Sequence, residues 1–377
     1  MRFLHIADLH LGRRLNGLSL LEDQKYILDR LVELAGDCDA VLIAGDVYDR
    51  PQPGGDAVRL AGDFLTRLAG AGRPVYMIAG NHDGGDLVEY CRALLSGAGI
   101  HAEGGFDGAL HRHVLKDAYG EVHVYLLPFI KPVHVRRALN DDAIQTYEDA
   151  VRAAVATAKL DPAARSVLVA HQYVTGAALS DSEQRIVGGL DQVPAEAFDG
   201  FDYVALGHLH APQRLAGGRV CYAGSPLKYA LTEEHQRKGA AIVELREKGT
   251  IIFEHVPLRP LRDVRTVTGI LADIAAPNLA SDDYVGAVLT DELPPPDPLG
   301  ALRIVYPNLI ALRVQNSRTN AELTEVELAD AERKDALEHF IDFYTAQNNH
   351  VPPDARRVSV IRDIIRELEE GSGHAAD

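Results

Sequence analysis

Five short apolar runs in this chain each end in residues of the kind that bind divalent cations. After residues 3–7 come Asp8-Leu9-His10, and after residues 40–44 come Gly45-Asp46. Residues 75–79 lead into Gly80-Asn81-His82-Asp83, 167–170 into His171, and 203–206 into Gly207-His208-Leu209-His210. Asp, Asn and His offer the oxygen and nitrogen ligands that suit Mn, Zn or Fe, and no cysteine joins them. Asp8 and His10, two apart just past a strand, can face one site, and so can His208 and His210. Asp46 has two carboxylate oxygens and can bridge two cations. Two ions held roughly 3.5–4 Å apart stabilise both the attacking and the leaving oxygen of an in-line phosphoryl displacement. A single His beside an apolar strand is usually a hydrogen-bonded structural residue. His5 is read that way and given no role. Five independent strand ends terminating in metal-capable residues leave little room for that reading of the whole set.

For these residues to meet, the runs must be strands whose carboxyl ends open on one place. Each run is rich in Val, Ile, Leu or Tyr and bounded by polar residues or Gly, as a buried strand is. Helical patterns lie between them at 20–35, 58–68 and 87–95. The alternation indicates an α/β core with helices on the sheet faces. A Gly precedes Asp46, Asn81 and His208, which permits a sharp turn toward an ion. Runs at 221–223, 240–245 and 251–256 give the first domain, 1–257, a β-rich finish. Pro257-Leu258-Arg259-Pro260 breaks the chain. A small α+β domain, 258–314, is expected next. It has strands at 264–267, 284–289 and 309–314, a short helix near Ile270, and a loop at Pro294-Pro295-Pro296-Asp297-Pro298. From Asn320 the composition shifts toward Glu, Ala, Asp, Lys and Leu. Helices are expected at 323–343 and 358–368, separated by Pro352-Pro353, in a C-terminal part spanning 315–377.

The bulk properties constrain the reading. With 377 residues, 46% hydrophobic and 25% charged, the chain has the composition of a soluble globular protein with room for an accessory domain. No apolar stretch is long enough to span a bilayer, so no membrane partner is expected. The start, Met1 to Asp8, does not read as a signal peptide. Cys38, Cys91 and Cys221 are scattered, which argues against a disulfide framework and suits a reducing, cytoplasmic setting. The net charge of −17 counts against a free-standing tight DNA binder. It does not count against an enzyme that reaches phosphates through bound cations.

Taken together, Asp8-X-His10, Gly45-Asp46-X-X-Asp49-Arg50, Gly80-Asn81-His82-Asp83, His171 and Gly207-His208-X-His210 resemble the calcineurin-like metallophosphoesterase superfamily in order and spacing. Within it, the stretches Ala170 to Gly176, Ala205 to Gln213, Tyr222 to Tyr229 and Pro260 to Arg265 resemble the SbcD-like DNA exonuclease subunits. That resemblance runs from residue 1 to about 270. It implies a β-sandwich flanked by helices, a small α+β capping domain and C-terminal helices. It implies that Asp8, His10, Asp46 and His210 hold one ion, and that Asp46, Asn81, His171 and His208 hold the second. His82 would touch the scissile phosphate and assist the leaving oxygen, with Asp49 orienting it. Arg50 contacts phosphate in related phosphatases; here a surface salt bridge is the plainer reading. The preferred ion implied is Mn, with Zn and Fe compatible.

The implied substrate is DNA, processed at ends and hairpins during repair, recombination and replication. The implied partner is an SbcC-like ATPase, docked on C-terminal helices through Val358, Ile361, Ile364, Ile365 and Leu368. A homodimer within a heterotetramer is also implied, with the helices at 58–68 and 87–95 as candidate contacts. Two rivals compete. A stand-alone phosphodiesterase or phosphatase acting on nucleotides or phosphoproteins would share the metal site, and the acidic charge favours it. A non-catalytic scaffold would have no reason to keep the ligand set and His82 together.

Overall fold

Strand Arg2–Ile6 is buried along almost its whole length, which places it inside a sheet rather than at an edge. In the computed structural model it pairs in parallel with Ala40–Ile43 and antiparallel with Gly239–Leu245. The structure describes residues 1–90, 92–178, 192–293, 296–316, 336–348 and 351–372. Two six-stranded sheets form the first unit. The first sheet runs Ile251–Pro257, Gly239–Leu245, Arg2–Ile6, Ala40–Ile43, Val75–Ile78, Ile100–Glu103. The second runs Gln213–Leu215, Val220–Tyr222, Tyr203–Gly207, Arg165–His171, Gly120–Leu127, Arg112–Asp117.

The sheets stack face to face. Phe3, Leu42 and Tyr76 of the first meet Val124, Val167 and Tyr203 of the second in one apolar layer. The outer face of the second sheet, with Tyr125, Leu168 and Val204, is covered through Val135 of helix Pro132–Leu139 and Val151 and Ala154 of helix Tyr147–Ala156. That last helix starts sharply because Thr146 and Asp149 form a capping box. Helices Leu21–Ala35 and Gly55–Gly70 pack on each other and bury Ile27, Leu28, Leu31, Phe64 and Leu68.

All five runs that end in metal-capable residues are strands. Arg2–Ile6, Ala40–Ile43 and Val75–Ile78 are mutually parallel, as are Arg165–His171 and Tyr203–Gly207. Their carboxyl ends therefore open together, where sites form in sheets of this kind. The helix expected at 87–95 is instead two short helices, Gly85–Val88 and Arg92–Gly97. Between them Glu89 turns its carboxylate to accept from the main-chain N–H of Gly104 at 2.8 Å.

His5, wholly buried, shows how the sandwich fixes a protonation state. Its Nδ1 accepts from the Tyr203 hydroxyl at 2.9 Å, and its Nε2–H donates to the Leu206 carbonyl at 3.1 Å. The neutral ring satisfies both. Burial holds its pKa down at about 3, against the bond to Leu206. In the unfolded chain the same ring takes a proton near 6.5. Its contribution to stability is therefore complete above pH 6.5 and is lost as pH falls toward 3. The slope is up to ~1.4 kcal/mol per pH unit. Urea unfolding at several pH values should show a His5→Gln variant with a shallower acid-side loss, by about one bound proton. Equal slopes in the two proteins would contradict this.

The chain divides into two compact units, Met1–Val264 and Arg265–Asp377. In the second, Tyr284–Leu289 pairs in parallel with Leu309–Val314, and helix Pro298–Val305 supplies the crossover such a pair needs. Val285, Ala287, Leu289, Leu302, Val305 and Tyr306 form its core. Helices Ala336–Gln347 and Ala355–Ser372 follow. Residues 323–335 of the helix expected at 323–343, Pro294 and Pro295 of the expected loop, Cys91, and the side chain of Leu368 lie outside the described residues. No helix among the described residues is long and apolar enough to cross a membrane.

Candidate metal centre

The loops after the strands hold unusual backbone. Asp8, His10, Asp46 and His208 have φ of 54°, 42°, 49° and 102°, the left-handed region that side chains other than Gly avoid. Such conformations cost on the order of 1–3 kcal/mol each and persist where surrounding structure imposes them. Here the main chain does so. Asp8 N donates to Gly45 O at 3.1 Å and His10 N to Asp46 O at 2.9 Å, tying the first two loops together. The Asp83 carboxylate accepts from the N–H groups of Val47, Tyr48 and Gly80 at 3.1, 2.8 and 2.9 Å, tying the second loop to the third.

The three glycines before the ligands do not share one reason. Gly45 turns the chain with φ of 86°. Gly80 and Gly207 are there for space. A Cβ on Gly80 would lie 2.1 Å from Asp46 Oδ1, and one on Gly207 would lie 2.0 Å from Ala44 O. Gly207→Ala should destabilise the metal-free protein by about 1–3 kcal/mol, as overpacking against backbone does. Thermal unfolding checks it, and an unchanged midpoint would contradict the packing argument.

Asp8, His10, Asp46, Asn81, His171, His208 and His210 all converge. The Nε2 atoms of His10 and His210 are 3.2 Å apart. Asp46 Oδ2 lies between the two halves of the set, 3.7 Å from His10 Nε2 and 3.4 Å from His171 Nε2. Asn81 Oδ1 is 3.0 Å from both His171 Nε2 and His208 Nδ1. Asp8 groups with His10 and His210 on one side, and with Asp46 and His171 on the other, with ligand atoms within 4.8 Å of one another. His82 joins His10 and Asp46 in a third such group.

Burial and neighbouring charges shift these groups in opposite directions. Burial pushes the Asp8 carboxyl up to about 7, although His171 and His210 oppose the shift. Burial works against His171 too, but Asp46 and then Asp8 overcome it and raise that ring to about 9. Asp46 is held below the usual carboxylate range, because His171 and His10 outweigh its burial. His208 is pushed down to about 3 by burial and by His171. His171 Nδ1 lies 2.8 Å from the Ala44 carbonyl and donates to it, so Nε2 is the atom turned inward, where a cation is favoured. The 3.2 Å spacing of the His10 and His210 nitrogens suits two ligands of one ion with bonds of ~2.1 Å. An Asp, Asn and His donor set of this kind fits divalent Mn, Zn or Fe.

Asp49 differs from expectation. Its main-chain oxygen, not its carboxylate, accepts from His82 Nδ1 at 3.0 Å. Arg13 draws the carboxylate away, with Nη1 at 2.9 Å from Oδ1. His82 N also donates to Asp46 Oδ1 at 2.8 Å. Arg50 has a 62% exposed side chain 3.9 Å from Asp49 Oδ2, a surface pair of small energetic worth.

Other residues support the ligands without having stood out in the sequence. Gln24 Nε2 donates to His10 O at 2.7 Å and its Oε1 accepts from Gly12 N at 3.0 Å. The Tyr229 hydroxyl donates to Leu9 O at 2.6 Å. Glu233 Oε1 is 2.9 Å from His210 Nδ1. A polar residue on the buried side of helix Leu21–Ala35 was the available signal for Gln24.

Comparison with known proteins agrees with this geometry. Residues 1–212 match the model of the calcineurin-like phosphoesterase family. Residues 257–348 match an SbcD-type C-terminal domain, described as the type 5 capsule protein repressor C-terminal domain. Among solved structures, TT1561 of Thermus thermophilus is similar at 12% identity over 67% of this chain and 98% of that one, with a TM-score of 0.38, too slight a likeness to support an argument. The family match covers more than half of the chain. The chain therefore belongs to the calcineurin-like phosphoesterases, metal-dependent hydrolases of phosphate esters, and carries an SbcD-type C-terminal domain behind that catalytic domain.

Proposed function

We propose that this chain is the nuclease subunit of an SbcD-like complex, hydrolysing DNA phosphodiester bonds with two divalent ions, Mn by preference. The observation that carries the reading is the position of the Asp46 carboxylate between His10 and His171, in a chain whose catalytic domain is followed by an SbcD-type domain. Asp8, His10, Asp46 and His210 would hold one ion, and Asp46, Asn81, His171 and His208 the other. Bound there, the ions would supply charge neutralisation for the phosphate and an activated water.

The chain's own residues do the rest. His82 is fixed from both sides, its N–H by Asp46 and its Nδ1 by the Asp49 carbonyl. With Nδ1–H committed to that carbonyl, Nε2 can give a proton to the departing sugar oxygen only when the ring carries protons on both nitrogens. Asp83 and Gln24 hold the loops that carry the ligands. In the resting site Asp46 balances the buried His171 charge.

The partner is an SbcC-like ATPase and the setting is the cytoplasm. A homodimer within a heterotetramer fits the exposure of Tyr90 and Leu94, at 71% and 75%, beside the short helices at 85–97. Docking on the ATPase fits helix Ala355–Ser372, where Val360 and Ile364 are about half exposed. Such an arrangement makes 1–257 the nuclease domain, 258–314 the cap and 315–377 the docking part. It would also let an acidic subunit, net −17, rely on its partner for DNA affinity. The same acidity favours a second reading, a phosphodiesterase acting on small nucleotides.

Mn-dependent cleavage of linear and hairpin duplex DNA, beside a small phosphodiester and a phosphomonoester, separates the two. DNA cleavage supports the nuclease reading. Cleavage of the small diester alone, persisting when the ATPase is added, would move the assignment to the small-molecule enzyme.

A further inference from the structure

We infer that Glu233 is a positioning residue for one of the two ions, acting by fixing which nitrogen of His210 faces the centre. The inference rests on the two-ion reading above. Glu233 is wholly buried in the short turn Leu231–Glu233, far in sequence from every ligand run. Its Oε1 lies 2.9 Å from His210 Nδ1. Its Oε2 lies 2.6 Å from Lys238 Nζ and accepts from Tyr229 N at 3.1 Å. Lys238 is itself buried and also donates to the His210 carbonyl at 2.9 Å and to Ser225 Oγ at 2.7 Å.

The logic follows from donors and acceptors. An ionised carboxylate only accepts, so His210 Nδ1 carries its proton toward Glu233. The Nε2 lone pair then faces inward, where it sits 3.2 Å from His10 Nε2. Lys238 holds both ends of the arrangement: the carboxylate that orients the ring and the carbonyl of the residue that bears it. A carboxylate behind a metal-binding imidazole fixes its tautomer and raises its basicity, and losing it typically weakens the metal roughly 10–100-fold. In the other half of the set it is the Ala44 carbonyl, not a carboxylate, that lies behind His171, 2.8 Å from its Nδ1. The effect of Glu233 should therefore fall on one ion only.

Titration of the metal-free full chain with cobalt(II), followed by visible absorption, tests this. The wild type should bind in two steps. Glu233→Ala should weaken one step roughly 10–100-fold and leave the other unchanged. Glu233→Gln should fall between, because the amide oxygen still accepts from Nδ1–H. Since Glu233→Ala strands the Lys238 charge, Glu233→Gln with Lys238→Met provides a neutral pair of similar volume, and metal-free melting of each variant confirms the fold. Two unchanged steps, or two steps weakened equally, would overturn the inference. A wild type that binds a single cobalt per chain would instead refute the two-ion reading, and this inference with it.

Discussion

Asp46→Asn should lower kcat/KM on a phosphodiester by on the order of 10³-fold or more at ordinary Mn concentrations. Its Oδ2 lies 3.7 Å from His10 Nε2 and 3.4 Å from His171 Nε2, between the two halves of the ligand set. Its other oxygen holds His82 N at 2.8 Å, so one substitution disturbs the ions and the acid together. Asn keeps the shape but removes the charge. The metal-free variant should melt lower than the wild type, because it strands the buried His171 charge that Asp46 balances, so the effect of Mn is read against each protein's own metal-free melting temperature. What should disappear is stabilisation by Mn. For the wild type that gain is ~2.7 kcal/mol per site when the ion stands at 100 times its Kd. Kinetics beside melting with and without Mn decides the matter. An Asp46→Asn protein that keeps both its rate and its Mn-dependent rise in melting temperature would contradict the bridging role.

His82→Ala should cut kcat on DNA by roughly 10²–10⁴-fold while leaving metal affinity within a few-fold of wild type. The residue touches the set only at its edge, grouping with His10 and Asp46, and its ring is held by the Asp49 carbonyl. Loss of an acid that protonates a sugar oxygen should matter less when the leaving group needs no proton. On bis-p-nitrophenyl phosphate the same variant should lose much less activity than on DNA. Equal losses on both substrates would reassign His82 to phosphate binding rather than proton delivery.

The strand ends were legible because each candidate ligand sits at the end of a buried strand or on the loop just after it. Such a strand is a continuous apolar run, and the break in apolarity marks the ligand. The parallel pairing that gathers those ends also follows from alternating strand and helix. Strand Arg112–Asp117 was harder to read, because it is exposed or half-buried along its length. The supporting residues were harder still. Glu233 lies 23 residues from His210, and no periodic pattern points from one to the other. Asp49 shows a different limit. The family resemblance placed it beside His82, but whether carbonyl or carboxylate reaches the ring depends on Arg13, which is 36 residues away. The role of Gly207 was visible as a Gly but not as a contact, since Ala44 reaches it across the sandwich from the other sheet.

Anomalous diffraction from crystals grown with Mn is the most direct test of the central claim. The account predicts two peaks a few ångströms apart. One lies among Asp8, His10, Asp46 and His210, and the other among Asp46, Asn81, His171 and His208. A single peak, or peaks away from Asp46, would contradict it.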